Sequence, residues 1–197
     1  MPEQPSVSPV AVKRVIYKEI LEGDRRKFVA QSNDAPSGGG ARDLRFSPYS
    51  RFESAFKAIF PEATHETRKR GGIDTTVPIL KGEFFWMEDG EIKHTESYFE
   101  PPDDPRPTEG RIPRVNTYGC FRSVPADGRI FLLLVQQMDD TVWPAFATES
   151  SLRAGEWNSE LTREILDCIN ATRNAGVAVA GYVDFTTGSH FCNERAT

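Results

Sequence analysis

Cysteine is scarce in this chain. Cys120, Cys168 and Cys192 are its only three among 197 residues. They stand far apart, no pair has metal-ligand or redox spacing, and the count is odd. The set therefore predicts buried thiols in a reducing compartment. Histidine is equally sparse, at three, and none is followed two residues later by lysine, so a phospholipase-D-like nuclease motif is absent. His190-Phe191-Cys192 offers two ligand types without a second pair, which reads as a terminal strand before a metal site. There is no G-x-S-x-G, no phosphate-binding loop and no dinucleotide fingerprint. No apolar run approaches membrane-spanning length, and the opening MPEQPSVSPV lacks a charged-then-apolar signal pattern. A soluble, cytoplasmic protein is expected, with no membrane partner, no cofactor and no metal.

Core-forming residues are plentiful. Hydrophobic residues make up 38% of the chain and thirteen are phenylalanine, enough for one domain of this length. Pro2, Pro5 and Pro9 mark residues 1–11 as a disordered or wrapping tail, which leaves 12–197 as a single domain. Net charge is −5. Residues 1–123 carry 19 Lys and Arg against 19 Asp and Glu, whereas residues 124–197 carry 5 against 10. The whole imbalance lies in the last third. A basic face is possible earlier, because phosphate attraction is screened beyond about 8 Å at physiological salt.

Along the chain, Val12 to Ile20 fits a strand or a short helix. Lys27 to Ala30 reads as a short strand. Ser47-Pro48 opens a helix with Phe52, Ala55, Phe56, Ile59 and Phe60 on one face, and Pro61 stops it. Residues 73–80 are β-branched, with Pro78 suggesting an edge or a bulge. Phe84 to Met87 and Glu91 to Phe99 form a hairpin turning at Asp89-Gly90. Residues 100–114 hold five prolines and read as a stiff, exposed loop. Ile130 to Val135 is a buried strand, with Val142 to Ala147 beside it. Ser159 caps a helix that turns Leu161, Ile165, Cys168 and Ile169 inward and ends at Asn174-Ala175-Gly176. Val177 to Phe185 is a last strand. The pattern is mainly β with two or so helices. Trp86, Trp143 and Trp157 read as packing residues.

Two stretches carry chemistry. From Phe28 to Pro48 the chain reads FVAQSNDAPSGGGARDLRFSP, placing Gly38, Gly39 and Gly40 just before Arg42, Asp43 and Arg45. Three glycines free the backbone at an entropic cost. Either this is a flexible surface loop, or it brings backbone close to a ligand and aims guanidinium groups at phosphate, carboxylate or guanine. Later come Glu109-Gly110-Arg111-Ile112-Pro113-Arg114 and Tyr118-Gly119. Asn33-Asp34, Gly39-Gly40 and Phe46-Ser47-Pro48, together with this second run, resemble the two arms of the N-terminal DNA-binding domain of EcoRII-type restriction endonucleases. That resemblance covers roughly residues 26–185. It implies a DNA-binding pseudobarrel, an architecture shared with a class of plant transcription factors, gripping double-stranded DNA in a cleft. It places Arg42 in the first arm and Glu109, Arg111 and Arg114 in the second. The chain departs from the family at Ala41 and Gly110, so no target sequence is carried over.

Major-groove readout would use Arg42, Arg45, Arg111 and Arg114, with Glu109 accepting from a cytosine amino group or orienting Arg111. Arg68-Lys69-Arg70-Gly71-Gly72 reads as a basic turn, touching phosphates or merely solvated. Tyr98 and Tyr118, flanking the second arm, pack or contact the DNA backbone. The expected protein recognises DNA sequence-specifically, as a specificity subunit or regulator beside a nuclease or other enzyme encoded separately. Two other classes stay open. Asp74, Glu91 and Lys93 loosely match a metal-dependent nuclease, and the glycine-arginine loop suits a protein-interaction module gripping an acidic partner.

Overall fold

The computed structural model describes residues 12–29, 42–70, 72–103, 107–171 and 177–193. The fold is built around two strands with no face to spare for water. β1 (Val12–Ile20) and β7 (Ile130–Gln137) pair antiparallel at the middle of an open, mixed sheet. Ile16, Ile20, Ile130, Leu132 and Leu134 point into one core, and Val15, Tyr17, Phe131, Leu133 and Val135 into a second on the opposite face. Burial on both faces explains why IFLLLV is continuously apolar. It also explains why β1 was ambiguous with a short helix, since Val15, Ile16 and Tyr17 are buried consecutively.

β9 (Ala180–Asp184) and β10 (His190–Cys192) extend the sheet beyond β1. On the other side follow β8 (Val142–Thr148), β4 (Ile73–Glu88) and β3 (Glu62–Arg70), with β5 (Glu91–Phe99) also paired to β4. Asp89 and Gly90 both take positive φ, at 54° and 77°, as a two-residue hairpin turn requires. Pro78 pairs with His65 of β3, in the part of β4 that β5 does not reach.

The first core is roofed by α1 (Glu22–Val29) and α2 (Tyr49–Ile59). Aromatic rings fill it: Phe56 stacks on Phe99 at 3.9 Å, and Phe46 meets Phe56 edge-on at 4.8 Å. The second core lies under α3 (Glu149–Arg153) and α4 (Ser159–Ala171), where Leu152, Leu161, Ile165, Cys168 and Ile169 are buried.

Several expectations are corrected. Lys27 to Val29 belong to a helix, not a strand, and Ala30 lies outside the described residues. Only Phe28 of α1 is buried, so no apolar stripe announces it. Its support is electrostatic, with Glu22 pairing to Arg25 and Arg26, and Asp24 to Lys27. The described residues hold four α-helices, two more than expected. Pro48 stands just before α2, whose first helical residue is Tyr49. Asn158, not Ser159, caps α4; its Oδ1 accepts from the backbone N–H of Glu160 and of Leu161, each at 3.0 Å. The expected end of that helix at Asn174 to Gly176 lies outside the described residues. The 100–114 stretch is not wholly exposed loop, because β6 (Gly110–Ile112) buries Ile112 completely.

The cysteines also differ from expectation. Cys168 and Cys192 form a disulfide that ties α4 to β10, leaving Cys120 as a buried thiol that burial pushes above its ordinary pKa. Their separation of 24 residues matches no short motif, so only the tertiary fold reveals the pair.

Asp184 closes the β9 end of the sheet. It accepts from Arg14 Nη2 at 2.8 Å, and from the backbone N–H and side-chain hydroxyl of Thr186 at 2.9 and 2.6 Å. Burial opposes its charge, but the hydrogen bonds from Thr186 and Thr187 and the Arg14 charge outweigh that and hold its pKa below the ordinary 3.8. A carboxyl lowered on folding stabilises the protein above its unfolded pKa, and that contribution disappears as pH falls through the folded value. Urea unfolding from pH 7 down to about 3 should therefore lose stability less steeply in Asp184→Asn than in the parent. Parallel profiles would mean that Asp184 carries no acid-linked stability.

Candidate nucleic-acid interface

The two arginine-bearing stretches are adjacent in space. β2 (Leu44–Phe46) pairs antiparallel with β6, in the register Leu44 to Ile112, Arg45 to Arg111 and Phe46 to Gly110. This two-stranded ribbon is a sheet of its own, tied to the residue after β5 by an antiparallel bridge between Arg111 and Glu100. Strand alternation turns Leu44, Phe46 and Ile112 into the first core and sends both arginines to the other face. Gly110 faces inward, where a β-carbon would overlap the rings of Phe99 and Tyr49. Even a methyl group there would force those rings to move. Glycine at this position is thus a packing requirement of this core.

Like charges directly across a ladder repel, and the ribbon resolves this by giving each arginine its own carboxylates. Arg45 Nη1 lies 3.6 Å from Glu109 Oε2. Arg111 donates from Nε to Glu100 Oε2 at 2.6 Å and from Nη1 to Asp43 Oδ2 at 3.0 Å, with Nη2 also on Glu100. Glu100, whose side chain is 8% exposed, takes a second arginine through its other oxygen, Arg68 Nη1 at 2.6 Å. Arg68 in turn pairs with Glu66. Burial works against the Arg68 charge, but the hydrogen bonds to Glu100 and Glu66 prevail and raise its pKa. From the far side, Lys27 Nζ bonds the Asp43 carbonyl at 3.0 Å and Asp24 Oδ1 at 2.7 Å. A chain of ion pairs and hydrogen bonds therefore runs from α1 through the ribbon to β3.

The structure thus brings Asp43, Arg45, Arg68, Glu109 and Arg111 together, with Arg42 beside them through its carbonyl, which accepts from Val115 N–H at 2.9 Å. Arg114 follows β6 in a left-handed conformation, φ 50° and ψ 45°, and is exposed. Arg68 and Lys69 are strand residues of β3, paired with Thr75 and Asp74, so the expected basic turn is the end of a strand. Tyr118 packs, with Phe84 and Phe121 edge-on to it, and burial pushes its pKa up to about 12. Asn33, Asp34, Gly38 to Gly40, Ala41 and the Arg70 side chain lie outside the described residues.

Sequence reasoning missed Glu100, Glu66 and Lys27. Glu100 ends a strand of alternating pattern and precedes two prolines, where an exposed charge is the ordinary expectation. Nothing local marks it as the partner of residues 11 and 32 positions away.

The nuclease constellation does not assemble. Asp74 stands near the start of β4, whereas Glu91 pairs with Glu88 at its end, a contour of about 45 Å at strand rise. Glu91 and Lys93 pair with each other. Among the described residues, no group of three or more His, Cys, Asp or Glu side chains is placed to hold a metal. His190 contacts Glu164, and Cys192 is in the disulfide.

The chain matches no known family, and no curated protein or solved structure matches it significantly. The EcoRII-type resemblance therefore rests on the two arm segments alone.

Arg111 is held in place by two carboxylates, so Arg111→Ala leaves Glu100 and Asp43 facing each other with less compensation. We expect it to lower unfolding free energy by about 3 kcal/mol, while Arg114→Ala stays within about 0.5 kcal/mol. Gly110→Ala should cost about 1–3 kcal/mol through overpacking against Phe99. Urea titrations of the three variants check this, and an Arg111→Ala protein as stable as the parent would remove the network from the account of the fold.

Proposed function

We propose that this protein is a sequence-specific double-stranded DNA-binding domain of pseudobarrel type. It would act as a specificity subunit or regulator of a restriction system, beside an enzyme encoded separately. The observation that carries the reading is the β2–β6 ribbon. Two segments that resemble the two arms of one DNA-gripping family, far apart in sequence, meet in register and share a face rich in arginine. A twisted two-stranded ribbon fits the major groove, where all four base pairs are distinguishable.

The roles within the ribbon follow from who already has a partner. Arg111 and Arg68 hold the ribbon to the sheet through Glu100. Arg45, whose side chain is 37% exposed and whose carboxylate partner is 3.6 Å away, is the residue best free to trade Glu109 for a base edge or a phosphate. Arg114 and Lys69, both exposed, supply phosphate contacts at either side. The acidic balance of the chain weakens nonspecific attraction, which favours discrimination over bulk affinity.

Selection from a random duplex pool should enrich one motif, with affinity falling steeply as salt rises. Arg45→Ala should then cost about 1–3 kcal/mol and relax preference at particular positions. Lys69→Ala should weaken all duplexes alike and flatten the salt slope. No enriched motif and no low-salt binding would end this reading. Magnesium-dependent cleavage lost in Glu91→Ala would replace it with a nuclease.

A further inference from the structure

The pairing of β4 leaves a break in one edge of the sheet. At Leu80 and Lys81, β4 pairs with both β3 and β5, so these lie on opposite edges. At Phe84 it meets both β5 and β8, which puts β8 on the same edge as β3. Between the last β3 partner, Lys81, and the β8 contact at Phe84, residues Gly82 and Glu83 lie in a gap between the two ladders. A groove of about 490 Å³ opens there.

The groove has an apolar floor and acidic walls. Phe85, half-buried and tilted against Trp143 at 5.9 Å, and Val142 form part of the floor. Among the described residues Glu62, Glu83, Glu96, Asp139 and Asp140 line it, together with the cation Lys81. Internal partners neutralise these only in part. Lys81 sits 3.5 Å from Glu96, and Lys13 is 2.6 Å from Asp140, yet the side chains of Glu83, Glu96 and Asp140 remain 46%, 54% and 63% exposed. The Thr141 hydroxyl and N–H hold the Asp139 carboxyl below its ordinary range, and the Tyr98 hydroxyl does the same for Glu96. Both stay ionised at neutral pH.

We propose that this groove docks an extended, lysine- or arginine-bearing segment of a partner protein, with an apolar side chain on Phe85 and its cations among the carboxylates. Charge complementarity selects the occupant. DNA is repelled from such walls, and a single divalent ion finds no ready shell, because among the described residues no three carboxylates converge. A chain of alternating cationic and apolar residues matches both floor and walls, and its charges steer encounter as well as fix register. The site does not rest on the DNA reading and uses none of the ribbon residues.

A fluorescein-labelled peptide of alternating lysine and leucine tests this by anisotropy on the full chain, with a glutamate–leucine peptide as counterpart. The lysine peptide should bind and the glutamate peptide should not. The triple variant Glu62→Gln, Glu83→Gln, Glu96→Gln should weaken binding by about tenfold or more. The triple variant Glu156→Gln, Glu160→Gln, Asp167→Asn makes the same change in net charge on and before α4, and should stay within about twofold. Lys81→Gln should bind more tightly, a gain that misfolding cannot mimic. Equal losses in the two triples, no binding by the parent, or displacement of the peptide by magnesium alone would each overturn the proposal.

Discussion

A strand whose successive side chains are all apolar has no face to offer water, and Ile130 to Val135 is such a strand. Covering both of its faces requires two separate layers. α4 and α3 supply one, while α1, α2 and the β2–β6 ribbon supply the other. Fully burying a side chain of this size is worth about 1.5–3 kcal/mol, so six in one strand make exposure of either face untenable. Much of the remaining architecture is what this constraint demands. The ribbon is therefore first a lid on the aromatic core, through Leu44, Phe46 and Ile112. Its arginines project outward because alternation leaves them no other direction.

That origin bears on how the ribbon works. Two arginines facing each other across a ladder repel, and a three-residue pair has few hydrogen bonds of its own with which to resist. Glu100 adds restraint twice over, bridging Arg111 through its backbone and engaging Arg111 of β6 with one carboxylate oxygen and Arg68 of β3 with the other. Breaking a buried pair costs more than making one gains, so the network fixes geometry more than it adds stability. A preorganised ribbon loses little entropy on meeting a ligand. The same network commits Arg111 to Glu100 and Asp43, whereas Arg45 keeps only a looser contact, 3.6 Å, with Glu109.

Local patterns made much of this fold legible in the sequence. The periodicity of Phe52, Ala55, Phe56 and Ile59, the apolar run in β7, and Asp89-Gly90 each point to the element found there. Whatever depended on distant partners was hidden. α1 has one buried side chain and is held by short-range ion pairs, which resemble any charged loop. β6 sits among prolines, and only its pairing with β2 makes three residues a strand. Cys168 and Cys192 meet because α4 packs on the sheet beside β10, a fact no spacing encodes. For the candidate site, the arginines could be named from the chain, but their division into holding and available groups could not. That division is set by Glu100, whose partners come from β3 and β6.

The charge imbalance of the chain acquires a location in the same way. The acids of the last third contribute Asp139 and Asp140 to the groove at the break in the β4 edge, where Glu62, Glu83 and Glu96 of the balanced region join them. Net charge by sequence thirds therefore misstates the field that a partner meets. β3 carries both extremes, with Glu62 at the groove and Arg68 and Lys69 six and seven residues on, about 20 Å away at strand rise. Over more than two Debye lengths at physiological salt the two ends are electrostatically independent. One edge strand can thus line an anionic groove at one end and hold an arginine committed to its own carboxylates at the other, without either altering its neighbour.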